Sequence, residues 1–225
     1  MTNTLHRYGN KQNLQNDFIV FAIPCRGFND KDSVPKLKHF LRLACKFKPI
    51  NLGDASHGGI FRPSKALNPL AHWMRKSDVD FESVIEGVST PTTVAAVFEK
   101  IESVEEFIAE LRAADLGLSI NISALIDRAR ECCQQAGLAR HSVEYSLGFI
   151  GKTDRLADRQ VLELSTMCGH GMISFTFARK MIDWVKEGRR TPEEACRYLS
   201  RFCSCGIFNP TRAREILERS RYQNS

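Results

Sequence analysis

Two short pairs of soft ligands, Cys168-Gly169-His170 and Cys203-Ser204-Cys205, flank a stretch of strong helix signals. If both pairs hold one centre, the chain between them must turn back and bring its ends together. No other feature constrains the fold of this chain so tightly. Thiolates bind zinc or iron, and imidazole is an accepted fourth ligand. Gly169, Gly171 and Gly206 stand beside the pairs, where a missing side chain lets the backbone come close to a bound group.

The intervening text reads as capped helices. Phe175, Ala178, Met181, Ile182 and Val185 recur at helical spacing, and Gly188 ends that run. Thr191-Pro192-Glu193-Glu194 then supplies an N-cap threonine, a proline at the first helical position and a capping-box glutamate. Asn209-Pro210 repeats the device before a third helix to about Arg219. The expectation is a three-helix metal-binding module over 161–225, with Cys168 and His170 before its first helix and Cys203 and Cys205 before its last. Helix N-termini near the pairs would favour an anionic centre. A unit so small gains from a metal staple.

From Cys168 through Ile216 these residues resemble the bacterioferritin-associated ferredoxin type of [2Fe-2S]-binding domain. That family has a C-x-C pair, a helix-turn-helix with a G-x-x-T-x-E-E centre, a C-x-x-C pair and a last helix. Gly188, Thr191, Glu193 and Glu194 correspond to the centre, and Cys203 and Cys205 to the second pair. His170 stands where the family has a cysteine, and the second pair here is C-x-C. The resemblance implies a [2Fe-2S] cluster held by Cys168, His170, Cys203 and Cys205. The same Cys3His set also satisfies zinc or another iron–sulfur cluster.

The preceding chain has a different character. A polar arm over 1–16 leads into a strand from Asp17 to Pro24, then a helix from about Val34 to Phe47 with Leu37, Phe40, Leu41 and Ala44 on one face. Glycines and prolines mark Asn51 to Pro69 as loop. Thr93 to Phe98 suits a strand, Ser103-Val104-Glu105-Glu106 a capping box, Leu118 to Ile122 a strand, Ile126 to Ala136 a helix, and His141 to Ile150 another strand. Alternation of this kind predicts an α/β or ferredoxin-like α+β sheet domain over 17–151, joined by a linker at 152–160 to the metal module.

No apolar run reaches the roughly 20 residues of a membrane span, and Met1 to Asn16 lacks the apolar core of a signal peptide. The expected address is the cytoplasm, where eight cysteines are thiols or ligands rather than disulfides. Cys25, Cys45, Cys132, Cys133 and Cys196 read as ordinary thiols. A net charge of +6 suits an acidic partner or a small anionic substrate, but Lys and Arg are dispersed, which disfavours nucleic acid. Asp54 and His57, in a glycine-bearing segment, are the other chemical candidates, as an acid–base pair.

Three functions fit the sequence. The first is an iron–sulfur protein in electron transfer or redox sensing, with a redox partner protein. The second is an oxidoreductase-like enzyme with its active site near Asp54 and His57. The third is a zinc-stapled module that binds nucleic acid or protein. Whether the chain is an enzyme stays open at this point.

Overall fold

Strand β1 (Phe18–Ile23) is a run of aromatic and β-branched residues buried on both sides, so it belongs at the centre of a sheet. The computed structural model, which describes residues 6–56, 58–59, 80–203 and 205–222, places it there. Helix α1 (Lys11–Leu14) precedes it. Helix α2 (Ser33–Lys46) follows, then β2 (Asn51–Asp54), the two-residue β3 (Gly58–Gly59), α3 (Phe81–Gly87), β4 (Val94–Phe98), α4 (Ile101–Ala114), β5 (Ser119–Ser123) and α5 (Ile126–Gln135). The sheet order is β3-β2-β4-β1-β5, and every neighbouring pair is antiparallel. Helix α2 connects β1 to β2, and α4 connects β4 to β5, so the two crossovers interlock in a split β-α-β arrangement.

Each inner strand divides its side chains between two cores, as the period of two demands. Phe18, Val20 and Ala22 of β1 join Val94, Ala96 and Phe98 of β4 in a core covered by α2, α3 and α4. The Phe107 ring lies 5.2 Å from that of Phe40 and 5.4 Å from that of Phe98. Ile19 and Phe21, with Ala95 and Val97, face the other way. They pack under α6 (Arg159–Ser165), α7 (Phe175–Lys186), α8 (Pro192–Ser200) and α9 (Pro210–Ser220). The molecule is thus a mixed α/β fold in three layers, with the Cys/His region in the layer of α6–α9.

The sequence and the structure differ at several places. Asn51–Asp54 is strand β2 and not loop: a strand of four residues that includes a glycine offers too little pattern to read. The expected capping box at Ser103 is absent, because α4 already begins at Ile101 after Lys100, which makes no side-chain cap. His141–Ile150 has the composition of a strand but joins no ladder among the described residues, and the whole stretch is exposed.

The C-terminal layer has four helices where three were expected. Segment 152–160 holds a 3-10 turn, Thr153–Arg155, and the start of α6. The boundary expected there does not divide the core, since one apolar cluster runs from β1 and β4 into α6–α9. The N-terminal arm, from His6 onward, is docked as well: Tyr8 N–H donates to Thr166 Oγ1 (2.9 Å) and Asn13 Nδ2 donates to Glu163 Oε1 (2.6 Å). The arm is polar, and these groups find partners on α6 and on Thr166, which follows it.

Candidate metal centre

Helix α6 ends at Ser165, and its exit carries Cys168 and His170 into the turn before α7. The turn closes through Gly169 N–H, which donates to Thr166 O (2.8 Å), with Gly169 at φ 86°. Left-handed backbone of this kind is open to glycine with little cost. The second pair leaves α8 in the same way: Cys203 N–H donates to Ser200 O, Gly206 N–H donates to Cys203 O, and Gly206 has φ 71°. Thr191 and Glu194 form the capping box read from the sequence, and Asn209 caps α9 through its side chain.

These turns bring the ligands together. The ligand atoms of Cys168, His170 and Cys205 lie within 4.8 Å of one another. Cys203 Sγ stands 3.5 Å from Cys205 Sγ, and Cys168 hydrogen-bonds to both. All three thiols are buried, while His170 is half-buried. The eight cysteines are free thiols, with no disulfide among them.

The electrostatics describe one negative centre shared among several donors. Hydrogen bonds from Cys203 and Cys205 hold the Cys168 thiol well below its ordinary value. Facing that sulfur, Cys203 is raised well above its ordinary value and Cys205 is pushed up to about 12. The Cys168 sulfur raises His170, whose Nδ1 is nonetheless buried without a hydrogen-bond partner. A buried nitrogen in that condition is costly unless something binds it. Three thiols, one of them favoured as thiolate, and an orphaned imidazole nitrogen fit a soft metal ion: the donor set is right, and the metal would take the place of the shared protons.

The sheet supports this loop directly. A Cβ on Gly53 of β2 would lie 2.5 Å from Cys205 O and 2.9 Å from the Gly206 carbonyl, so the strand needs glycine there for the ligand loop to seat. Two residues earlier on the same face, Asn51 Nδ2 donates to Phe208 O (2.8 Å). Beneath Met167, Asp17 sits between Arg7 (2.8 Å) and Arg212 (2.9 Å) and accepts from Asn209 Nδ2 (2.9 Å). Arg212 also reaches Met167 Sδ at 3.8 Å. Burial alone would raise the Asp17 carboxyl, but Arg7 and Arg212 overcome it and hold it below its ordinary value. Little in the sequence announces these supports. Gly53 reads as one more loop glycine, and the partners of Asp17 lie far away along the chain.

Other candidates separate from the site. Asp54 is buried at the end of β2 and accepts from Ser56 N–H (2.7 Å) in a local turn; His57 lies outside the described residues. Cys196 is buried on α8, hydrogen-bonds to Pro210 O (3.5 Å), and is pushed up to about 12 by burial, so it belongs to the core. Cys132 is likewise a core thiol, on α5. Among the described residues no helix is long and apolar enough to cross a membrane. No family model, curated protein or solved structure matches the chain.

Proposed function

We propose that this protein is a metalloprotein whose Cys168, His170, Cys203 and Cys205 hold one tetrahedral ion, zinc before ferrous iron, as a staple between the helical layer and the sheet. The observation that carries this reading is compactness. A tetrahedral ion with metal–sulfur bonds of about 2.3 Å sets its ligand sulfurs roughly 3.8 Å apart. The 4.8 Å limit on the donor atoms of Cys168, His170 and Cys205, and the 3.5 Å from Cys205 to Cys203, suit one ion. A two-iron cluster spreads its ligands over two metals and needs the pairs further apart. Bound zinc supplies cross-linking energy and no redox chemistry. The cationic stack on α7 and α8, with Arg190 over both Trp184 and Tyr198, offers the stapled layer a surface for an acidic partner.

A [2Fe-2S] cluster in electron transfer is the second reading. The helix-turn-helix of α7 and α8, with its Thr191-Glu194 capping box between the pairs, supports it through the resemblance to bacterioferritin-associated ferredoxins. Purification without oxygen separates the two. A colourless protein with one metal per chain and no acid-labile sulfide is the expected result. Red-brown protein with iron matched by sulfide would select the cluster. In either case Cys203→Ser should lose most of the metal and Cys133→Ser should keep it; equal content in the two variants would end both readings.

A further inference from the structure

Cations that are scattered along the chain meet on the outer face of α7 and α8. Phe177, Lys180 and Trp184 stand at i, i+3 and i+7 and so share one side of α7. Tyr198 of α8, with Arg201 and Phe202 at its end, faces them, and the Phe177 and Phe202 rings meet edge to face at 5.0 Å. The turn between the helices carries Arg189 and Arg190, whose backbone N–H groups both donate to Trp184 O (2.8 and 3.1 Å). Lys180 Nζ lies 4.9 Å from the centre of the Trp184 ring, and the guanidinium carbons of Arg189 and Arg190 lie 5.2 and 5.7 Å from it. Arg190 also lies 5.9 Å from the Tyr198 ring, which carries Arg201 at 5.3 Å.

The two rings hold these cations in place, because Trp184 and Tyr198 are half-buried against the apolar cluster under α6–α9. Glu187 bridges to Arg189 (3.2 Å), while Lys180 and Arg190 form no ion pair among the described residues, and Arg190 Nε is buried without a hydrogen-bond partner. Cations gathered this closely repel one another, and an anion laid across them relieves the repulsion. At the other end of the stripe the rings are open. Phe202 is 42% exposed, and Phe175, at the start of α7, is 44% exposed. The stripe therefore runs from open aromatic rings to a fixed cationic stack.

We infer that this face binds single-stranded nucleic acid, with Lys180, Arg189, Arg190 and Arg201 along the phosphate backbone and Phe202 under a base. Three of the four cations are arginines, whose planar fork matches phosphate oxygens. The open rings decide against an acidic peptide, since a carboxylate side chain has no planar face to lay on them. They also decide against a duplex, whose bases are already stacked on each other. A cationic track joined to aromatic platforms is how single strands are held with little sequence preference. The inference names the acidic partner of the reading above and rests on it for the seat of α7 and α8 between the two ligand pairs.

The full chain tests this by fluorescence anisotropy with a labelled oligothymidylate of about 12 nucleotides, within the span that single-strand sites cover. Binding should weaken with salt, with a log–log slope of about −0.7 for each phosphate neutralised, and Lys180→Ala should flatten the slope by about that amount. Phe202→Leu should keep the slope and weaken binding about tenfold, as loss of a stacking ring does. Arg128→Ala, on α5, removes the same charge elsewhere and should change neither. Metal content and far-ultraviolet circular dichroism are read on every sample, so a chain that binds the strand without metal sinks the metal reading and leaves this one. No binding by metal-loaded protein overturns the inference. Equal competition by polyglutamate, by a duplex or by anionic phospholipid vesicles overturns it too, as does a Phe202→Leu variant that binds like the wild type or an Arg128→Ala variant as weak as Lys180→Ala.

Discussion

The two faces of the sheet are built on different principles. On the face of α2, α3 and α4 the core is almost all hydrocarbon, with Phe18, Phe40, Phe98 and Phe107 fully buried and the Phe107 ring against those of Phe40 and Phe98. Nothing there needs a partner of fixed geometry, and volume alone decides the fit. Under α6–α9 the core contains Cys168, Cys203 and Cys205, and its border holds Asp17, Asn51, Asn209 and Arg212. Each of these residues has a specific counterpart on another element, and only Arg212 Nε among their side-chain atoms is buried without a partner. The apolar face holds the fold, and the polar face spends burial on groups that only a bound ligand or a specific partner can satisfy. Chemistry is expected on the second face.

The largest test of that difference is Asp17→Asn. It leaves Arg7 and Arg212 buried beside a neutral amide, and breaking a buried pair in this way costs about 3–5 kcal/mol. The pH dependence has a definite sign. The folded carboxyl lies below its ordinary 3.8, so its contribution is present in full above pH 3.8 and is lost as pH falls through the lower folded value. Urea unfolding of the wild type should lose stability below pH 3.8, and the variant should lack that part of the slope. Hydrogen exchange in acid should rise first in α9 and the N-terminal arm, with α2 and α4 protected longer. Simultaneous loss on both faces would mean that they form one cooperative unit and that the contrast is static only.

The apolar face was the more legible in the sequence for the same physical reason. Leu37, Phe40, Leu41 and Ala44 announce α2 by their spacing, and β1 and β4 announce themselves by their β-branched and aromatic runs. On the other face, the ligand pairs and the Thr191 capping box could be read because each is local. The supports could not. Whether Gly53 is a loop glycine or the seat of a ligand loop depends on what lies across from it, and Cys205 is far away in sequence. Arg7 is one residue of a polar arm, and its pairing with Asp17 shows only in the fold. Helix α6 is short, and almost all of it is buried, including Glu163 and Ser165, so it shows no amphipathic stripe. His141–Ile150 shows the opposite failure, a legible strand pattern that joins no ladder among the described residues.

Gly53→Ala sharpens the comparison at the level of one methyl. The added carbon would meet backbone atoms of Cys205 and Gly206 at 2.5–2.9 Å, and backbone cannot swing aside as a side-chain tip can. Overpacking of this kind costs about 1–3 kcal/mol. The displaced atoms belong to the ligand loop, so metal content should fall along with stability. Gly87→Ala, at the end of α3 with nothing within 4 Å, should change neither. Normal metal content in Gly53→Ala would show that the loop adapts and that β2 is a passive wall.

The smallest effect concerns how the helices begin. On the apolar face α3 is capped by Asp80, but α4 starts after Lys100 with no side-chain cap, and its position is set by Phe107, Ile108 and Leu111 in the core. On the metal side α7, α8 and α9 start with Ser174, Thr191 and Asn209, each accepting a hydrogen bond from a backbone N–H in its first turn. Thr191→Ala should therefore cost about 1 kcal/mol in urea unfolding, within the range for lost N-caps. Lys100→Ala, which removes no cap, should stay within about 0.5 kcal/mol, as surface substitutions do. Helices α7 and α8 together span the chain between the two ligand pairs, so a bound metal fixes the start of α7 and the end of α8, and Thr191→Ala at the turn between them should leave metal content unchanged. Metal lost together with that small destabilisation would show that the cap, and not the metal, sets the distance between the pairs. The staple would then follow the fold of α8 instead of holding it.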